Sequence, residues 1–238
     1  LLYYSISSGW AEGRYARFIS DDRTVSLVPL SLSPEAKKAV MLFVSRNALP
    51  ENRTYLYHYY KDNCATRIRD IYAEATDGDF RRWAEAIETG MSYREWAELY
   101  LSPSLFFEYL LNYLEGPSID EPLDLYQACF LPEILEKAIS QYEGTERTVI
   151  YETKTREAVP ESYSLEIRAA VIGIVLMVFP LLTLSRRRGI RRIGDLLSAI
   201  AEISLGIMSL ILLAVMLFTN HDVTYWNINI LVIPPTIL

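Results

Sequence analysis

The pattern of apolar and polar positions divides the chain into a first part with mixed strand and helix signals and a second part with long apolar runs. Runs rich in aromatic and β-branched residues predict strands at 2–6, 15–19, 24–30 and 55–60. Apolar residues three and four positions apart predict helices that begin near Ser33, Cys64, Phe80, Ser92, Ser104 and Leu123. Residues 1–140 are therefore predicted to form an α+β domain.

The run from Tyr55 to Tyr72 changes from strand-like to helical spacing near Cys64. Asp62 and Asn63 directly precede the helical part, and both residue types cap helices by accepting the unpaired N–H groups of the first turn. The partial positive charge at a helix N-terminus favours a thiolate over a thiol. Cys64 is therefore a candidate nucleophile.

The alternative interpretation is a buried, unreactive Cys64, because cysteine is one of the most buried residue types. Cys129 is the only other cysteine in the chain, and a disulfide between the two would prevent Cys64 from acting as a nucleophile. Two cysteines are too few for a disulfide scaffold and lack metal-ligand spacing to either histidine. We predict no metal site and no cofactor.

Two uncharged apolar runs in the second part predict membrane spans at about 168–185 and 196–218, with the possible start of a third after residue 228. Residues 141–167 are polar and charged, which is typical of a juxtamembrane linker. Five arginines lie between the two predicted spans, and loops rich in arginine stay in the cytoplasm. The α+β domain is therefore predicted to lie outside the cytoplasm.

The net charge of −7 argues against a nucleic-acid partner, which would require a basic surface. The sequence begins at Leu1 without a methionine or a signal segment, and it stops within an apolar run. We therefore expect it to be truncated at both ends.

Several blocks of sequence occur in one order. These are P-E-N-R-T-Y-L-Y-H-Y-Y at 50–60, D-N-C-A-T-R-I-R-D at 62–70, G-P-S-I-D-E-P-L at 116–123 and F-L-P-E-I-L at 130–135. Together they resemble the Lnb N-terminal periplasmic domain family of bacterial membrane proteins, over about residues 30–139 and into the membrane part. The resemblance implies a permuted papain-like thiol domain with a helical insert, in which the Asn63-Cys64 dipeptide carries the nucleophile and part of the sheet is missing. A transmembrane helical region follows the domain.

This family includes lipoprotein N-acyltransferases. The resemblance therefore implies a multi-pass protein of the bacterial inner membrane that moves a fatty acyl chain from a phospholipid, through a Cys64 thioester, to the N-terminal amine of a lipoprotein. One alternative is a papain-like amidase or peptidase of the cell envelope, in which water is the acceptor. Another is a non-catalytic envelope-binding module in which the Cys64 side chain only contributes to packing.

A cysteine nucleophile requires a base and donors for the oxyanion. We predict the donors to be the N–H groups of Cys64 and its neighbours, with help from Asn63. The resemblance places the base in a Gly-His motif upstream of the region seen here, and residues 1–30 contain no histidine. We therefore expect the base to precede residue 1, without which this fragment would be inactive. His58 is interpreted as structural.

Five further residues are candidates for substrate binding. His221 and Asn227 follow the second span and belong either to a solvated loop or to a substrate entrance. Arg67, Arg69 and Asp70 follow Cys64 and form either salt bridges or, through the arginines, a phosphate site. Arg69 and Asp70 are predicted not to pair with each other, because neighbouring residues on a helix point to different sides.

Overall fold

The computed structural model describes residues 3–7, 9–101, 104–155 and 165–234. It confirms the α+β class, and most of the described residues are helical. The chain forms two compact units. The first consists of Leu1–Tyr93 and Glu121–Ala158, and the second of Arg94–Asp120 and Val159–Leu238.

The described helices are α1 (Ala11–Ser20), α2 (Pro34–Asn47), α3 (Cys64–Ala75), α4 (Asp79–Glu85), α5 (Tyr93–Leu101), α6 (Leu105–Leu114), α7 (Leu125–Ala128), α8 (Pro132–Glu143), α9 (Leu165–Thr183), α10 (Arg188–Phe218) and α11 (Asn229–Val232). The strands are β1 (Tyr3–Ser5), β2 (Val25–Leu27), β3 (Thr54–Leu56), β4 (Glu88–Ser92), β5 (Pro122–Asp124) and β6 (Thr148–Tyr151). They pair as three separate antiparallel sheets, β1 with β3, β2 with β6 and β4 with β5.

The strand predicted at residues 15–19 is wrong, because these residues belong to α1. Tyr15, Phe18 and Ile19 follow the helical spacing of three and four, which here outweighs their preference for strands. The other three predicted strands form over three residues each. The described residues do not assemble the single sheet of a papain-like domain, so that finer part of the fold remains a prediction.

The predicted start of α2 is confirmed by its cap. The Ser33 hydroxyl accepts a hydrogen bond from the Ala36 N–H at 3.1 Å, and Pro34 occupies the first position of α2. Pro132 likewise begins α8 and separates it from α7, as its position in the sequence predicts. Proline fits the first turn because its missing N–H would have no partner there.

An aromatic cluster around Phe80 holds α3, α4 and α8 together in the first unit. Phe80 is fully buried, and its ring centroid lies 4.9 Å from that of Tyr72 and 5.4 Å from that of Tyr142. Burial of one such side chain stabilises a fold by about 1.5–3 kcal/mol. The cluster therefore fixes the C-terminal half of α3, whose first residue is Cys64.

Strand β6 lies within the segment that the sequence predicts to be a linker. It pairs with β2, and the carboxylate of Asp22 holds the turn that follows it. Asp22 accepts hydrogen bonds from the Tyr151 hydroxyl at 2.6 Å, from the Lys154 N–H at 2.9 Å, and from both the N–H and the hydroxyl of Thr155. The sequence signal that was missed is the β-rich run T-V-I-Y at Thr148–Tyr151.

The hydrogen bonds to Asp22 give a testable acid dependence. The hydroxyls of Thr155 and Tyr151 hold the pKa of Asp22 well below its ordinary value. Because the folded-state pKa is lowered, the stabilisation is complete above about pH 5 and is lost as the pH falls further. We expect Asp22→Asn to remove this acid dependence and to reduce amide protection in β6 at neutral pH. Hydrogen exchange measures both, with Asp21→Asn as the control. An unchanged β6 in Asp22→Asn would contradict the assignment.

In the second unit, the C-terminal end of α6 is held by Arg94 and by a close backbone contact. The Arg94 guanidinium donates to the carboxylate of Asp120 at 2.6 Å and to the carbonyl oxygen of Gly116 at 2.8 Å. The Gly116 N–H donates to the carbonyl oxygen of Val223 at 2.6 Å, and a β-carbon on Gly116 would overlap the carbonyl group of Tyr225. Only glycine allows this approach.

Candidate functional site

Cys64 is the first residue of α3, and its thiol is free and exposed. Cys129 is also a free thiol but is fully buried, and burial raises its pKa to about 12. The two sulfurs are therefore not bonded to each other. The two thiols differ in reactivity, because nucleophilic attack requires an accessible thiolate and only Cys64 is exposed.

Asn63 fixes the first turn of α3 with all of its side-chain polar groups. Its Oδ1 accepts hydrogen bonds from the N–H groups of Ala65 at 2.8 Å and Thr66 at 3.0 Å. Its Nδ2 donates to the carbonyl oxygens of Tyr59 at 2.7 Å and Phe130 at 3.0 Å. Asn63 is buried, so these bonds are shielded from water. The predicted cap is confirmed, and the cap also joins α3 to the loop before α8.

These bonds revise the predicted oxyanion donors. The N–H groups of Ala65 and Thr66 are already used by the cap, and so is the side-chain amide of Asn63. Within the described part of the chain, the Cys64 N–H donates no hydrogen bond. The arrangement therefore makes Asn63 a positioning residue and leaves the Cys64 N–H as the first-turn amide that can meet an oxyanion.

Arg67 lies one turn after Cys64 and forms a two-pronged ion pair with Asp62. Its Nε and Nη2 lie 2.5 Å and 2.6 Å from the two carboxylate oxygens, and its guanidinium lies 4.3 Å from the centre of the Tyr55 ring. The sequence interpretation assigned Asp62 a capping role, whereas the structure uses it to orient Arg67. The side chain of Arg67 is 42% exposed, so its guanidinium faces both Asp62 and solvent.

Tyrosines surround this end of α3. The rings of Tyr4 and Tyr57 stack with centroids 4.3 Å apart, and Tyr57 meets Tyr59 edge-on at 5.6 Å. Burial raises the pKa of Tyr57 to about 12, with smaller contributions from Tyr4 and Cys64. The Tyr57 phenol therefore remains protonated at neutral pH and can donate a hydrogen bond beside the thiol.

The prediction that Arg69 and Asp70 do not pair is wrong. Arg69 Nε lies 2.8 Å from Asp70 Oδ1, because both side chains turn towards Tyr126. The Tyr126 hydroxyl donates to Asp70 at 2.6 Å, and its ring lies 4.1 Å from the Arg69 guanidinium and 4.8 Å from that of Arg81. Arg69 is buried. This network supports a structural role for both predicted residues, and no spacing in the sequence indicated Tyr126 as its centre.

His58 also has a structural role in the loop before α3. Its Nδ1 accepts hydrogen bonds from the N–H groups of Tyr60 at 3.2 Å and Lys61 at 3.1 Å. Its backbone exchanges two hydrogen bonds with that of Asp62. The occupied Nδ1 agrees with the interpretation of His58 as structural.

Comparison with known protein families identifies a family for the segment that contains Cys64 and its cap. Residues 14–98 match the Lnb N-terminal periplasmic domain family. The match contains Asn63, Cys64 and Arg67, and it ends before α6. The predicted resemblance extended to about residue 139, so its last part lies outside the matched region. No curated protein and no solved structure matches the chain.

Two predicted substrate residues lie beyond the matched Lnb domain. The Asn227 side chain is buried and donates to the carbonyl oxygen of Tyr113 at 2.8 Å, and Asn229 donates to the same oxygen at 3.0 Å. Both amides therefore cap the last turn of α6. The backbone carbonyl of His221 accepts hydrogen bonds from the N–H and the hydroxyl of Thr224. These contacts support structural roles for Asn227 and His221.

Among the described residues, one helix is long and apolar enough to cross a membrane, namely α10. The first predicted span forms a shorter apolar helix over Ile167–Thr183, within α9. Of the multi-pass arrangement that the sequence predicts, the described residues therefore show one candidate membrane span. After residue 228 the structure has only the four-residue helix α11, and residues 235–238 lie outside the described part.

Proposed function

We propose that the chain is a membrane-anchored cysteine acyltransferase that uses Cys64 as its nucleophile. The observation that carries this proposal is an exposed thiol on the first residue of a capped helix, inside the segment that matches the Lnb periplasmic domain. A buried thiol in that position would have favoured the non-catalytic envelope-binding module.

The reaction proceeds in two steps. The Cys64 thiolate attacks the carbonyl carbon of a phospholipid ester, and the tetrahedral intermediate expels the glycerol oxygen, which takes a proton. The products are a lysophospholipid and an acyl thioester on Cys64. The amino group of a lipoprotein N-terminus then attacks the thioester carbonyl, the C–S bond breaks, and the amine loses a proton. An amide forms and the thiolate is regenerated.

The residues around Cys64 have different roles in the first step. The Cys64 N–H donates to the oxyanion, and the Asn63 cap holds that N–H in place. Arg67 offers to the lipid phosphate the exposed part of its guanidinium that Asp62 does not bind. A base must accept the thiol proton, and the Nδ1 of His58 is already occupied by two backbone amides. His58→Gln is therefore compatible with catalysis.

The acceptor distinguishes a transferase from the alternative amidase or peptidase. The full-length protein in detergent is loaded with a radiolabelled phospholipid and then mixed with a peptide that has a free N-terminus. We expect the peptide to consume the thioester faster than water does and to yield a labelled amide. The control is the same peptide with an acetylated N-terminus. Equal rates of label loss with both peptides would favour the hydrolase.

The proposal also requires that the domain with Cys64 and the arginine-rich connector lie on opposite sides of the membrane. The Lnb domain is periplasmic by family, and arginine-rich loops stay in the cytoplasm. Five arginines occupy 186–192 at the start of α10. We therefore propose that α9 crosses the membrane as well, since its 19 residues span about 28 Å at 1.5 Å per residue.

Impermeant thiol reagents test this topology. In a background that lacks Cys64 and Cys129, Thr219→Cys should be labelled from outside the inner membrane. Arg187→Cys should be labelled only after the membrane is permeabilised. Labelling of Arg187→Cys from outside would place the arginine-rich connector in the periplasm and contradict the proposed topology.

A further inference from the structure

A groove between α2 and α3 has an apolar floor and an acidic rim. Its volume is about 320 Å³, within the range of small-ligand sites. Val40 and Phe43 of α2 and Ile71 of α3 line the floor. Its lining residues include three carboxylates, from Glu35, Glu74 and Asp77, and no basic side chain. The groove therefore suits a ligand that is both apolar and cationic.

The groove lies on the face of α3 that begins with Cys64. Cys64, Ile68, Ile71 and Ala75 follow one another at helical spacings of four, three and four, which places them along one face. Ile68 is 57% exposed between the thiol and the groove. Ala75 lies eleven positions after Cys64, which corresponds to about 16 Å at 1.5 Å per residue. An apolar track therefore connects the thiol to the acidic rim.

We infer that this track binds the acceptor peptide, with its amine at Cys64 and a basic side chain at the acidic rim. The inference rests on the proposed function, because it requires an amine that attacks a Cys64 thioester. An extended peptide advances about 3.3 Å per residue, so about five residues cover the distance. The acceptor is therefore a peptide that carries lysine or arginine about five residues from its amino terminus.

Charge complementarity selects this occupant. Three carboxylates attract a cation and repel the phosphate of a lipid headgroup. The floor of the groove accommodates apolar side chains between the amine and the basic residue. A hydrocarbon chain would contact only the apolar floor, because it has no charge that the carboxylates of the rim could attract. The rim therefore favours a peptide over the acyl chain of the donor.

Peptide binding to the full-length Cys64→Ala protein tests the inference without any chemistry. Fluorescence anisotropy compares an apolar peptide with lysine at its fifth position and the same peptide with glutamate there. We expect the lysine peptide to bind about tenfold more tightly, since several rim carboxylates act together on it. Glu74→Lys should reduce or reverse this preference. Glu51→Lys, on an exposed loop outside the groove, should leave it unchanged.

The outcomes separate the inference from the proposed function. Equal binding of the two peptides, or a preference that survives Glu74→Lys, overturns the inference even if Cys64 forms a thioester. Selective binding of the lysine peptide by a protein that never forms a thioester supports the groove and refutes the acyltransferase. If Ala39→Trp, which fills the groove, blocks acylation of Cys64 but not peptide binding, the groove holds the acyl chain and the inference is wrong.

Discussion

Replacement of Cys64 by alanine or serine should abolish acyl transfer. Cys64 is the exposed thiol of the chain, and loss of a catalytic nucleophile reduces turnover by several orders of magnitude, on the order of 10⁶-fold in a well-studied triad. The assay follows labelled acyl chains from phospholipid to a peptide amine. Thermal unfolding should be nearly unchanged, because the Cys64 side chain is exposed and removes little packing.

Cys129 provides the matched control for this experiment. It is the other cysteine of the chain, and it is fully buried with a raised thiol pKa. Cys129→Ala should therefore lower stability by about 1 kcal/mol through lost packing while transfer per folded molecule continues. If acyl transfer survives in Cys64→Ala and stops in Cys129→Ala, the nucleophile is Cys129 and our account is wrong.

The second large effect is expected for Asn63→Ala. The substitution removes the cap of α3, which contributes about 1 kcal/mol, and two further hydrogen bonds, to Tyr59 and Phe130, of about 1 kcal/mol each. We therefore expect a loss of about 2–3 kcal/mol in the free energy of unfolding. Acylation per folded molecule should also fall, by about 10²-fold, because a displacement of about 1 Å at a reacting group has that effect.

Ser33→Ala distinguishes positioning from general destabilisation. Ser33 caps α2 through one hydrogen bond to the Ala36 N–H, so its loss should cost about 1 kcal/mol. Since α2 does not carry the thiol, acylation per folded molecule should stay at the parent rate. Urea denaturation and single-turnover acylation measure the two quantities separately. An equal decrease in acylation for both variants would mean that Asn63 acts only through stability.

The sequence predicts the start of the candidate site well because that information is local. Asn63 and Cys64 are adjacent, and a capped helix start depends on the few residues around it. The exposure of Cys64 was left open, since burial depends on which distant segments pack against α3. The hydrogen bond from Asn63 to the Phe130 carbonyl oxygen shows the same limit, because it joins residues 67 positions apart.

Two of the three errors have the same physical origin, which is contact with a segment far away in the sequence, whereas the error at residues 15–19 is local. Arg69 and Asp70 were predicted to diverge by helix geometry, yet Tyr126 draws both side chains to one side. Residues 15–19 have strand-like composition but helical spacing, and the spacing prevails. Strand β6 was missed because its partner β2 lies more than 120 residues earlier in the chain. Long-range pairing of this kind leaves little trace in a local pattern.

The central claim is that the exposed Cys64 thiol carries an acyl group during the reaction. Intact-protein and peptide mass spectrometry after incubation with a phospholipid of one defined acyl chain tests it directly. We predict a single added acyl mass on the peptide that contains Cys64, removed by neutral hydroxylamine and consumed by an amine-bearing peptide. An acyl mass that is absent under turnover, or that lies on a residue other than Cys64, would contradict the account.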